Sequence, residues 1–173
     1  MAGLVHIYTG DGKGKTTAAI GLGIRAYGRG MKVLMVQFLK GRESGEEVVI
    51  NGLNPDFELR KSKKIEKFTW QLSSGEKEEL KADMVELFEY AMSSSAARDM
   101  IIMDEIMAAI GTGFIDAEKL IDFAKNKPEK LELVLTGRNA PEELVRLADY
   151  VSEIGAVKHP MRKGISAREG IEF

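Results

Sequence analysis

The 173 residues hold 25 Lys and Arg against 27 Asp and Glu, a net charge of −2, with 44% hydrophobic and 30% charged residues. That is the mix of one globular domain spanning 1–173, and it argues against a nucleic-acid binder. No cysteine is present, which excludes disulfides, thiolate nucleophiles and cysteine zinc sites, and the lack of a signal-like start or a long apolar run makes a cytoplasmic protein with no membrane contact the expectation.

In chain order, Leu4 to Tyr8 is short, apolar and partly β-branched, and reads as a buried strand. Thr16 to Tyr27 reads as a helix stopped by Gly28 and Gly30. Lys32 to Phe38 is apolar almost throughout, as in a parallel sheet covered on both faces. Residues 41–54 suggest a loop with a short helix, and Phe57 to Leu59 a brief strand followed by the basic stretch Arg60, Lys61, Lys63, Lys64, Lys67, expected to be a solvated face, with contact to a polar ligand or a protein partner as the sharper alternative. Ser73 or Ser74 caps a helix to about Ser93, with Leu80, Met84, Leu87, Phe88 and Ala91 on one face. Met100 to Met103 is a strand ending in Asp104-Glu105, and Asp116 caps a helix that stops before Pro128. Leu131 to Leu135 is a strand, Pro141-Glu142-Glu143 opens a helix through Ala148, and Tyr150 to Ile154 is a last strand. Val157 to Phe173 shows no period. Alternating strands and helices predict an α/β fold: a mostly parallel sheet with helices on both faces, P-loop NTPase-like (RecA-like).

Between the first strand and first helix stands Gly10-Asp11-Gly12-Lys13-Gly14-Lys15-Thr16-Thr17. Glycines let successive backbone N–H groups turn inward on an anion, and the following helix adds its positive end. Lys15 supplies a point charge, and the Thr16 hydroxyl can ligate Mg²⁺. The spacing departs from G-x-x-x-x-G-K-[ST], because the residue five before Gly14 is Thr9 and the first glycine falls one place later, at Gly10. Asp104-Glu105, at the end of an apolar strand, supplies the acids that such a site needs. One can bind the metal, directly or through water, and the other can polarise a water or meet a base. No side chain announces itself as a base. His6 lies within a strand and reads as packed; His159, beside Lys158 and Arg162, is placed to pack or to face a site. A second substrate that brings its own nucleophile would remove the need for one.

Several segments together resemble the P-loop ATP:corrinoid adenosyltransferases, which act on cob(I)yrinic acid a,c-diamide or cob(I)alamin. They are YTGDGKGKTTAAIGLGIRAYGRG (8–30), VQFLKG (36–41), FTW (68–70), MDE (103–105), LTGR (135–138), LADYVSEI (147–154), VKH (157–159) and GISAREGIEF (164–173). They follow the family's order from end to end, and the offset glycine is itself a family trait. The resemblance implies that Co(I) attacks the 5′-carbon of ATP and that triphosphate leaves, so the corrinoid is the nucleophile. ATP would lie in the loop in a reversed sense that exposes this carbon. Lys15, Lys13 and Mg²⁺ (or Mn²⁺) on Thr16 and Glu105 would stabilise the leaving charge. Resemblance favours Glu105 over Asp104 as direct ligand, sets Phe68 and Trp70 near the corrinoid where they could displace its lower ligand, and sets Arg138 near the nucleotide. Arg25 is expected in a surface ion pair. Gln37, Lys40 and Gly41 fall at the sheet edge where α/β proteins bind ligands. A reductase partner and a homodimer are implied. The helix that some members carry ahead of the first strand, a lid on the neighbouring subunit's corrinoid site, is expected to be missing. Two rival readings are another P-loop NTPase or phosphotransferase and a non-catalytic ATP-binding module. A nucleic-acid motor is disfavoured by size and charge.

Overall fold

The computed structural model describes residues 2–40, 44–62 and 71–172. Six strands, β1 (Val5–Thr9), β2 (Val33–Gln37), β3 (Phe57–Lys61), β4 (Met100–Asp104), β5 (Glu132–Thr136) and β6 (Tyr150–Glu153), form one sheet in the order β3-β2-β4-β5-β1-β6. Every pairing is parallel. Among the described residues six helices connect them: α1 (Lys15–Tyr27), α2 (Gly45–Asn51), α3 (Ser74–Ser93), α4 (Ile106–Gly111), α5 (Ala117–Asn126) and α6 (Glu142–Leu147).

The near-continuous apolar runs have a physical reason. Successive residues of a strand face opposite sides, and both sides here are covered. Val33 and Met35 of β2 with Met100 and Ile102 of β4 pack with Ala19 and Ala26 of α1, Ile50 of α2 and Phe57. Their neighbours Leu34, Val36, Ile101 and Met103 face the other way, into a larger cluster with Met84 and Phe88 of α3, Ile106 of α4, Leu120 of α5 and Leu144 of α6. Burying each such side chain is worth roughly 1.5–3 kcal/mol, so the two clusters hold the helices on their respective faces. Gly23 of α1 marks the closest approach: a Cβ there would lie 2.9 Å from Ile102 Cδ1 and 3.0 Å from Phe57 Cζ.

The predicted elements are present, most within a residue or two of their expected bounds. β3 runs two residues further than expected, to Lys61. Ser73 is the cap of α3: its hydroxyl accepts from the Glu76 N–H and the Glu76 carboxylate accepts from the Ser73 N–H. Asp116 caps α5. Helix α4 was not expected, and neither were the 3₁₀ turns Ser95–Ala97 and Pro160–Lys163. The basic stretch is not simply solvated. Arg60 donates to Glu58 at 2.7 Å and Lys61 to Glu47 at 2.6 Å; Lys63, Lys64 and Lys67 lie outside the described residues.

The parallel register sets the carboxyl ends of the strands along one edge. Gln37 pairs with Asp104, and Tyr8 pairs with Thr136 on one side and Ser152 on the other. Three residues other than glycine have positive φ among those described, Leu39 (53°), Glu105 (59°) and Asn139 (55°), and all lie just past this edge. Backbone strain of that kind collects where chain is bent around a site.

Candidate active site

The loop from Gly10 to Lys15 joins β1 to α1 at this edge. Gly10 (φ 97°) and Gly14 (φ 120°) have conformations that side chains disfavour. The loop is held from outside, with the Gly12 N–H donating to the Ile154 carbonyl at 2.7 Å. A Cβ on Gly12 would lie 2.6 Å from that oxygen and 2.7 Å from the Gly155 carbonyl. α1 opens with no side-chain cap, which leaves its first N–H groups available to an anion. Lys15 is 7% exposed, and its Nζ donates to the carbonyls of Gly10 (2.7 Å) and Gly12 (2.9 Å). The loop thus wraps the ammonium that a phosphate would meet.

β5 separates the loop strand β1 from the acid strand β4, so loop and acids meet across the end of β5. Asp104 is fully buried. Its Oδ1 accepts from the hydroxyls of Thr16 (2.9 Å) and Thr136 (2.7 Å), and its Oδ2 accepts from Gln37 Nε2 (3.2 Å) with Lys40 Nζ at 3.8 Å. Glu105 turns away in a left-handed conformation, its N–H donating to Thr136 Oγ1 at 2.9 Å. Burial, then the nearby charge of Asp104, pushes the Glu105 carboxyl above its ordinary value, against the pull of Lys15, Lys40 and Arg138.

The loop, Lys40 and Glu105 open on a cleft of about 510 Å³ lined by residues 11–17, Lys40, Glu105, Arg138, His159 and the segment 170–172, with Asp104 buried beneath it. Arg138 reaches Asp11 at 3.5 Å, and both are well exposed. His159 lines the cleft, while its Nδ1 accepts from the Met161 N–H and caps the 3₁₀ turn. His6 packs within the sheet, stacked on Tyr150 and paired with Glu132, and does not line the cleft. The oxygen donors suit a magnesium ion: Thr16 hydroxyl, Asp104 carboxylate and Glu105 carboxylate are hard ligands. Among the described residues no group of three or more His, Cys, Asp or Glu could hold a metal. Phosphates and waters would therefore complete the shell, as magnesium prefers.

The comparisons identify the architecture's family. Residues 1–173 match the model of the ATP:corrinoid adenosyltransferases BtuR/CobO/CobP. The chain belongs to this family. A corrinoid adenosyltransferase of Sinorhizobium sp is 36% identical over 99% of this chain and 80% of its own length. Corrinoid adenosyltransferases of Escherichia coli strain K12 and Salmonella typhimurium strain LT2 are 32% and 31% identical, over 99% of this chain and 86% of their own lengths. The protein is thus an ATP:corrinoid adenosyltransferase with an α/β P-loop fold. No helix among the described residues is long and apolar enough to cross a membrane.

Within this adenosyltransferase the structure brings Gly10, Asp11, Gly12, Lys13, Gly14, Lys15, Thr16 and Thr17 together with Asp104, Glu105 and Arg138. Phe68, Trp70 and Gly41 lie outside the described residues. Two contributors escaped the sequence reading. Thr136 bridges Asp104 and Glu105; it stood within the matching segment LTGR (135–138), but nothing in that pattern gave its hydroxyl a role. The segment 170–172 reaches the loop from the chain's far end, a contact no local pattern encodes.

Proposed function

We propose that the protein transfers the 5′-deoxyadenosyl group of ATP to the Co(I) centre of a reduced corrinoid, in the making or salvage of adenosylcobalamin. A cobalt–carbon bond forms at C5′ with the electron pair of Co(I), the C5′–O bond breaks, and triphosphate departs with that oxygen. The observation that carries the reading is the convergence of Lys15, Thr16 and Glu105 on one cleft, with the buried Asp104–Thr136 pair holding Thr16 from beneath, in a chain that matches the family end to end. The loop N–H groups and Lys15, with Lys13 once it gives up Glu172, would face the charge that grows on the leaving oxygen. Thr16 and Glu105 would hold Mg²⁺, which supplies further neutralisation of that charge. Asp104 is already shared by the Thr16 and Thr136 hydroxyls and the Gln37 amide, so it aims Thr16, whereas the Glu105 carboxylate faces the cleft. Both acids flank the metal position, and the geometry favours Glu105 as the direct ligand. Arg138, at the rim, is available to the nucleotide. Phe68 and Trp70 are assigned to the corrinoid by resemblance alone. Co(I) must be generated by an electron donor, so a reductase partner belongs to this reading, as do a cytoplasmic setting and a homodimer.

The test is direct. The protein is mixed with ATP, Mg²⁺ and chemically reduced cobalamin, and absorbance spectra and phosphate products are recorded. Adenosylcobalamin and triphosphate in equal amounts are expected; ADP or orthophosphate without adenosylation would overturn the reading.

A further inference from the structure

Across the mouth of the phosphate cleft lies a segment that the transfer chemistry leaves unused. Past the 3₁₀ turn Pro160–Lys163 the chain returns to the loop, and Gly170, Ile171 and Glu172 form one wall of the cleft. Glu172 anchors it. Its Oε1 accepts from Lys13 Nζ at 3.0 Å and from Arg168 Nη2 at 3.0 Å, and its Oε2 accepts from Arg168 Nε at 3.1 Å and from the Arg168 N–H at 2.8 Å. Lys13 Nζ also donates to the Ile171 carbonyl at 2.7 Å. Hydrogen bonds from Arg168, then Lys13, hold the Glu172 carboxyl down to about 2, so it is an anion at any working pH.

The loop therefore has two ammonium groups in different situations. Lys15 is enclosed by loop carbonyls, and Lys13 stands at the cleft mouth already holding a carboxylate. A triphosphate entering the cleft brings several negative charges to a group with an anion in place, and like charges in contact repel. Lys13 must exchange one partner for the other. This matters most after transfer. Substrate and product share the same triphosphate, and the product gains a charge when the C5′–O bond breaks, so a cradle tight enough for ATP holds the product more tightly still. We infer that Glu172 is an internal competitor for Lys13 that weakens the loop's hold on triphosphate and speeds its release. The inference rests on triphosphate being the leaving group. The Lys13–Glu172 pair is partly exposed, at 47% and 22%, and such pairs are worth little, so the expected effect is about two- to fivefold.

The experiment uses the full chain and inorganic triphosphate as probe. Calorimetry gives the affinity, and displacement by excess ATP in a stopped-flow instrument gives the dissociation rate. Glu172→Gln should bind triphosphate about two- to fivefold more tightly and release it correspondingly more slowly. In a Lys13→Ala background the same substitution should change neither quantity. Thermal unfolding of each variant verifies its fold. Equal affinity with and without Glu172→Gln overturns the inference. So does weaker binding, which would make Glu172 part of the closed site. Failure of the underlying reading looks different: triphosphate would bind neither protein, or would bind both regardless of Lys15→Ala, and either result removes the inference with it.

Discussion

At the scale of single residues, the phosphate loop owes its shape to contacts that leave no room for side chains. Gly12 is the sharpest case, because its neighbours are the carbonyl oxygens of Ile154 and Gly155, not yielding side-chain ends. Gly12→Ala must push the loop away from Ile154 and Gly155, just past β6. Overpacking of this kind costs about 1–3 kcal/mol, and if that strain is relieved by deforming the cradle, ATP affinity should fall about tenfold or more while far-UV circular dichroism stays unchanged. Titration calorimetry with ATP checks this; unaltered affinity would show that the loop's seat on Ile154 and Gly155 is irrelevant to binding. The glycines and Lys15 were readable because a phosphate cradle demands those residue types in a row. Thr136 was not: a hydroxyl at a strand end becomes meaningful only when the sheet sets that strand between the loop and the acids.

At the scale of elements, strand β3 is fastened to helix α3 by charge. The Glu58 carboxylate accepts from Arg60 Nε (2.7 Å), from Tyr90 OH (2.8 Å) and from Arg98, and the Arg60 guanidinium sits 4.8 Å from the centre of the Tyr90 ring. Burial alone would raise this carboxyl; the bonds from Arg60 and Tyr90 and the charge of Arg98 outweigh it, and the net position lies below the ordinary 4.5. A carboxyl lowered in the folded state contributes stability above its unfolded value and loses it as pH falls through the folded one. Glu58→Gln should thus cost about 1 kcal/mol near neutral pH. The gap from the unsubstituted protein should close progressively below pH 4.5, as measured by urea unfolding of both proteins across that range. A gap independent of pH would assign the cost to packing. This cluster explains why the basic stretch read as a solvated face: Glu58 and Tyr90 are 32 positions apart, a separation that local charge counting does not span. Helix α4 was missed for a related reason. Its six residues, with Ile106, Met107 and Ala109 buried, are too few to show a helical period and look like more of the strand before them. The longer elements were legible because burial on two faces leaves strands apolar throughout, and because Ser73 and Asp116 announce their helices.

At the scale of the whole molecule, binding at the loop is felt by the entire fold, since the cradle exists only when β1, β4, β5 and β6 are aligned. Ligand that binds the folded state alone stabilises it by about 2.7 kcal/mol at a hundred times its dissociation constant. At about 2–4 °C per kcal/mol for a chain of this length, the protein then melts roughly 5–11 °C higher. Inorganic triphosphate with Mg²⁺ should produce such a shift in a thermal-unfolding scan, and Lys15→Ala should abolish it; a full shift in that variant would place the anion elsewhere. The parallel sheet has a practical corollary for anyone handling this enzyme. Val5 opens the first strand at the edge opposite the cleft, with Gly3 bonded to Glu129 nearby, whereas the chain at residues 170–172 lies on the cleft's lip. A purification tag or fusion partner joined ahead of β1 therefore leaves the nucleotide cleft open, whereas one joined beyond residue 172 stands at its doorway.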